Sequence, residues 1–216
     1  MSEPLVFHGY WRSGTSYRTR IALNIKRVGY EQRPVDLRAG AQRSGEFRAL
    51  NPQGLVPALE TPDGVLTQSS AILEWLEERY REPPLLPREP AQRAIVRAMA
   101  MAVACDIHPL NNLRVLKYLK SSLGQGQEAI AAWAARWITD GFSALEAMIS
   151  QHGGRFAYGD SLTFADCHLV PQYYSAQRFE VDCSPWPRLV SAATNAMAEE
   201  AVKQAHPDLQ PDADLA

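Results

Sequence analysis

The ten residues REPPLLPREP at 81–90 carry four prolines. Each proline removes a backbone donor and fixes φ near ~−65°, so the stretch can be neither regular helix nor central strand. It reads as a linker, and the patterns on its two sides differ. On the N-terminal side, residues 5–10 are apolar enough for a strand. Tyr17, Ile21, Ile25 and Val28 then recur at helical spacing until Gly29. A weaker extended segment covers 31–37, and LVPALETPDGVLTQ reads as two short strands about a Pro-Asp-Gly turn. Ile72, Leu73, Leu76 and Tyr80 share one helix face, with Glu74, Glu77 and Glu78 on the other. The order is βαβ followed by ββα.

Beyond the linker only the helical period remains. Ile95, Met99 and Val103 mark one helix, Leu113 and Leu116 a second after Pro109, and Ile130, Trp133, Trp137, Leu145 and Met148 a long third. Trp133 and Trp137 are read as core. LTFADCHL offers Thr163 as N-cap and Asp166 at N3, opening a helix expected to reach Phe179. Capping accounts for Asp166, which is assigned to folding. The expected architecture is an α/β domain over 1–84 and an all-α domain over 90–216.

The formal net charge of −2 gives no general attraction to nucleic acid or anionic lipid, so neither is expected as a partner. Cys105, Cys167 and Cys183 are odd in number and far apart, which suits neither a disulfide framework nor paired zinc ligands. The five histidines are scattered, so no metal is expected. No segment approaches the ~20 apolar residues of a membrane span, and a reducing, cytoplasmic setting is expected.

Polarity is concentrated in FHGYWRSGTSYRTRIAL at 7–23, three arginines and several hydroxyls where a strand feeds a helix. Such a seam suits an anion, because the first helical N–H groups lack partners and the helix dipole favours negative charge. Ser13, Thr15 and Ser16 admit two readings, helix cap or donor to a bound anion. Arg12 and Arg178 admit a dipole reading and a carboxylate-clamp reading. Arg18 and Arg20 read as structural, on the solvent or interdomain side of the first helix. Pro57 is either an edge-strand proline or the second residue of a cis bond. Ser69 is a cap or part of a carboxylate site, and His108, just before Pro109, is a surface or functional histidine.

NPQGLVPALE followed by LTQSSAILEWLEERY resembles the glutathione-binding signature of the glutathione transferases, and RSGTSYRTRIAL resembles the active-site motif of their zeta class. CDIHPLNNLRVLKYL and QYYSAQRF are similar to segments of the maleylacetoacetate and maleylpyruvate isomerases. The chain departs from the zeta pattern Ser-Ser-Cys, having Ser13, Gly14 and Thr15.

The resemblance implies a thioredoxin-like, glutathione-binding domain at 1–84, an all-helical substrate-binding domain at 90–216, and a homodimer. Ser13, Thr15, Arg12 and His108 are its implied catalytic residues, Ser13 lying near the glutathione sulfur. Ser13, Gln53, Val56, a cis Pro57, Gln68, Ser69, His108 and Asn112 would hold glutathione. Arg12, Arg114 and Arg178 would hold a dicarboxylate substrate. The implied activity is glutathione-dependent cis–trans isomerisation of a maleyl keto-diacid. Maleylacetoacetate, of tyrosine and phenylalanine catabolism, comes first, and maleylpyruvate, of gentisate catabolism, second. A general glutathione transferase and a non-catalytic interaction module of the same fold are the alternatives.

Overall fold

The structure, a computed structural model, describes residues 5–213. The chain forms two compact units, one of residues up to Pro84 together with the segment from Glu199 on, the other of Leu85–Ala198.

The first unit holds β1 (Leu5–Gly9), α1 (Gly14–Ile25), β2 (Tyr30–Pro34), α2 (Gly45–Leu50), β3 (Ala58–Thr61), β4 (Gly64–Thr67) and α3 (Ser69–Arg79). Its sheet runs β2-β1-β3-β4. β1 is parallel to β2, Leu5 opposite Tyr30, and antiparallel to β3, Phe7 opposite Leu59. The β3–β4 hairpin closes at the expected turn. α1 packs on α3, and Phe7, Tyr17, Ile21, Leu59, Ile72, Leu73 and Leu76 are almost fully buried. A second cluster of Tyr10, Trp11, Val35, Phe47, Val56 and Ala58 surrounds the one buried residue of α2. Lys26, the C-cap of α1, is buried against Glu77 of α3 at 2.5 Å and donates to the Pro83 carbonyl at 2.8 Å.

The second unit holds α4 (Pro90–Met101), α5 (Leu113–Ser121), α6 (Gln127–His152), α7 (Phe164–Arg178) and α8 (Pro187–Met197). After α4 the chain widens into a π-helical stretch at Ala102–Ile107, then tightens into a 3₁₀ turn at His108–Asn111. Val96, Met99, Ile107, Ile138, Phe142, Phe164 and Leu189 form its core. Trp133 and Trp137 are half-buried and meet edge to face, ring centres 5.6 Å apart. Trp133 is less a core residue than a clasp, its Nε1 donating to the Leu110 carbonyl of the 3₁₀ turn at 2.9 Å.

The helical unit ends short of the expected 216, since the last segment belongs with the α/β unit. Here α9 (Glu200–Gln204) packs on α1. Arg20 is fully buried, and its Nε and Nη2 donate to the carbonyls of Ala205 and Trp11 at 3.1 and 2.8 Å. Asn24 reaches the Ala201 carbonyl, and Asp212 accepts from Trp11 N and from Gln32. A guanidinium so far from water needs acceptors, and the returning chain supplies one of them.

Candidate active site

β1 ends at Gly9 and α1 begins at Gly14, so the turn between them places Arg12 and Ser13 ahead of unpartnered helical N–H groups. Close packing requires Gly9, since a Cβ there would lie 2.5 Å from the Phe7 ring and 3.1 Å from Ser16 Oγ. Ser16 Oγ accepts from Tyr10 N at 3.2 Å. Ser13 is the N-cap of α1, its Oγ accepting from Ser16 N over a long 3.3 Å. The same hydroxyl meets Thr15 Oγ1 at 2.9 Å, and Thr15 Oγ1 donates to the Val56 carbonyl at 2.9 Å. Capping uses only a lone pair of Ser13, so the cap and donor readings are compatible on one side chain. Arg12 is half-buried, its guanidinium 5.2 Å from the centre of the Trp11 ring, with no acidic partner among the described residues. A cation with no acidic partner among the described residues, beside a helix N-terminus, adds to the positive end of the helix dipole.

The Val56–Pro57 peptide is cis and β3 begins just after it, which settles the choice between the two proline readings. The loop before it is pinned by the buried Asn51. Its Nδ2 donates to the Leu55 carbonyl at 2.6 Å, and its Oδ1 accepts from Gln53 N at 3.1 Å. Gly54 has φ +62°, and a Cβ there would come within 2.9 Å of the Gln42 carbonyl oxygen. Asn51 belongs to the quoted NPQG motif, yet its two backbone partners only become visible once the loop is folded.

Gln68, the N-cap of α3, has φ 66° and ψ 109°, a conformation that non-glycine residues seldom adopt. Its Nε2 donates to Gln53 Oε1 at 2.7 Å. Ser69 opens α3, is 4% exposed, and its hydroxyl accepts from Arg18 Nη1 at 3.0 Å. It is therefore held by a cation rather than serving as a plain cap, and it keeps its proton for an incoming acceptor. Arg18 is 2% exposed, so of the expected structural role on the solvent or interdomain side of α1, the solvent side is corrected, and Ser69, Trp11 and Ala205, which accept from Arg18 and Arg20, belong to their own unit. Both point inward because each finds its acceptors there. Helix N-terminus, hydroxyl and buried cation together favour a carboxylate at the start of α3.

Residues 7–84 match the model of the glutathione S-transferase N-terminal domain. The chain is 50% identical over 208 residues to a maleylpyruvate isomerase of a Ralstonia species, covering 95% of this chain and 98% of that one. A solved bacterial maleylpyruvate isomerase, described as a zeta-class glutathione transferase, aligns with a TM-score of 0.95 at 48% identity, over 97% of this chain and 100% of that one. A maleylacetoacetate isomerase from Methylobacterium extorquens AM1, solved with malonate and glutathione bound, aligns with a TM-score of 0.93 at 40% identity, over 97% and 99% of the two chains. This chain belongs to the zeta-class glutathione S-transferase family.

In this transferase the remaining candidates lie on the second unit. His108 is the half-buried first residue of the 3₁₀ turn. Asn112 caps α5, its Oδ1 accepting from Arg114 N at 3.1 Å, and Arg114 is exposed in the first turn. Arg178 ends α7 as expected, exposed, with its guanidinium 5.9 Å from the centre of the Tyr174 ring on its own helix. Asp166 closes the N-terminus of α7, accepting from Thr163 N, Thr163 Oγ1 and Ala157 N at 2.8 to 2.9 Å. Complete burial raises its carboxyl to about 6 against the pull of those donors. Among the described residues no cluster of His, Cys, Asp or Glu could hold a metal ion, and no helix is long and apolar enough to cross a membrane.

Proposed function

We propose that this transferase is a glutathione-dependent cis–trans isomerase of a maleyl keto-diacid. One observation carries the reading: a hydroxyl suited to a thiolate, on Ser13, stands next in sequence to Arg12, a cation with no acidic partner among the described residues. Two different anions can be received within one turn of chain. The donor set also fits glutathione, because the start of α3 offers Ser69 with Arg18 behind it, chemistry suited to the γ-glutamyl carboxylate. Val56 contributes main-chain groups beside cis Pro57, and Gln53 and Gln68 are joined through their side chains.

When bound, glutathione supplies a thiolate nucleophile that turns the conjugated double bond transiently into a single bond and is regenerated. Ser13 favours the charged form of that sulfur by donating to it, as does the N-terminus of α1. Arg12 neutralises a substrate carboxylate. We assign His108 to the charge that develops on the substrate carbonyl oxygen, Asn112 to glutathione, and Arg114 and Arg178 to carboxylate recognition. A related isomerase solved with glutathione and malonate supports a diacid substrate. Maleylacetoacetate is the first reading, and the 50% identity to a maleylpyruvate isomerase favours maleylpyruvate as the second. A cytoplasmic homodimer belongs to the same proposal, and sedimentation tests the dimer.

The deciding experiment follows the absorbance of maleylacetoacetate and maleylpyruvate in parallel, each with and without glutathione. Conversion that requires glutathione is expected, and the ratio of kcat/KM names the substrate. No conversion of either by a protein that still binds glutathione would remove the isomerase reading in favour of conjugation. Arg12→Ala, Arg114→Ala and Arg178→Ala separate the carboxylate contacts. Loss of a charged hydrogen bond is worth about 10- to 100-fold in kcat/KM, and a variant with undiminished activity drops out of the assignment.

A further inference from the structure

The hydroxyls at the start of α1 form a chain whose direction is set by counting protons. Ser16 N–H donates to Ser13 Oγ, Ser13 Oγ lies 2.9 Å from Thr15 Oγ1, and Thr15 Oγ1 donates to the Val56 carbonyl at 2.9 Å. A carbonyl oxygen can only accept, so the single proton of Thr15 is committed to Val56. The proton between the two hydroxyls must then be that of Ser13. Without a ligand it points along the chain to Thr15, while the Ser13 lone pair receives the Ser16 amide. Thr15 thus touches two parts of the proposed glutathione site, the hydroxyl next to Arg12 and the main chain before cis Pro57.

From this geometry we infer that Thr15 is a positioning residue: it anchors the Val56 carbonyl with its proton and holds the Ser13 hydroxyl ready with its lone pair, without itself contacting sulfur. The inference rests on the glutathione reading and assigns the residue that stands where the zeta pattern has cysteine. A thiol there would be a weaker donor to the carbonyl and a weaker acceptor for Ser13. A threonine makes the relay a chain of three oxygens, in which each link polarises the next. When a sulfur anion is present, Ser13 gives up its bond to Thr15 and turns its proton to the sulfur, while Thr15 keeps its bond to Val56. The Val56 carbonyl therefore stays in place through the change.

The test uses Thr15→Val, which keeps the shape and deletes the hydroxyl, and Thr15→Ser, which restores the hydroxyl and deletes the methyl. Two readouts do not depend on turnover. One is glutathione affinity by calorimetry, the other the pH midpoint of the bound thiol, followed by thiolate ultraviolet absorbance. Thr15→Val is expected to weaken glutathione about 3- to 10-fold, because the Val56 carbonyl loses its anchor, and to lower the thiol midpoint, because Ser13 no longer has Thr15 as a rival acceptor for its proton. Thr15→Ser is expected to restore both. With Ser13→Ala the cycle should be non-additive, the double variant little different from Ser13→Ala alone in thiol midpoint.

A Thr15→Val protein with native affinity and midpoint overturns the inference. So does a Thr15→Ser protein as impaired as Thr15→Val, since the methyl would then matter and not the hydroxyl. Should Thr15→Val fail to fold, Thr15→Cys gives the same readouts with a weaker donor, and native values overturn the inference in the same way. A native chain that shows neither binding heat nor a thiolate band fails at the glutathione reading itself, which is a different result from a silent Thr15 substitution.

Discussion

Among the helices of this protein that begin with a hydroxyl residue as N-cap, α1 and α7 have beginnings built to different ends. At α7 the cap is sealed: Thr163 and Asp166 are 6% and 1% exposed, and every bond to the carboxylate lies between 2.8 and 2.9 Å. At α1 the cap bond from Ser16 N is 3.3 Å long, Ser13 is half-exposed, and the adjacent cation has no acidic partner among the described residues. The same backbone problem, unpaired N–H groups at a helix start, is solved completely in one place and loosely in the other. The loose solution leaves capacity for a ligand. The tight one puts its strength into folding.

The sharpest way to break this contrast is Asp166→Ala. It removes a cap and leaves three buried donors without an acceptor, so urea unfolding should show a loss of about 3–5 kcal/mol, while glutathione affinity per folded molecule stays native. A loss of binding in folded protein would mean that α7 is not merely structural.

Next in size is a pH effect. The Asp166 carboxyl is raised from 3.8 to about 6 in the fold, so between those values the folded state holds a proton that the unfolded chain has released. Its contribution to stability is complete below about pH 4 and is lost as pH rises through 6, by up to about 3 kcal/mol. Unfolding midpoints measured from pH 4 to 7 should fall by that contribution, and Asp166→Asn should flatten the slope.

At the other helix, Ser13→Ala should lower kcat/KM about 100-fold, the usual scale for one donor to a developing or bound anion, and cost only ~1 kcal/mol of stability as a lost cap. The reverse ratio would make Ser13 a second Asp166. The smallest effect is expected from Ser69→Ala, about 5- to 10-fold in glutathione affinity with kcat near native, because Arg18 and the helix N-terminus remain.

Much of this arrangement could be read from the residues. The βαβ–ββα order, the linker and the α7 capping box follow from local pattern, because apolar spacing, prolines and cap residues act within a few positions of themselves. The six-residue α2 escaped, since only Phe47 is buried on it and one residue makes no period. The burial of Arg18 and Arg20 escaped for a different reason. Their partners are Ser69, Trp11 and Ala205, and a hydrogen bond across 185 positions leaves no trace in local spacing. The cis geometry at Val56–Pro57 was open on residues alone and implied only by resemblance. In the site, Ser13 and Ser69 could be named from sequence, but not the direction of the Ser13 proton or the charge behind Ser69, which depend on Thr15, Val56 and Arg18 meeting in space.

The return of the last segment to α1 has a consequence in time. A ribosome releases the first 84 residues long before residue 199, so the α/β unit waits through the synthesis of the whole helical unit for α9 and for the Ala205 carbonyl that Arg20 requires. During that interval a charged side chain meant for the interior lacks one of its acceptors. The first unit to be made is thus the last to be finished, and a chain halted near residue 198 would carry its defect at the opposite end, beneath Trp11 and the Ser13 turn.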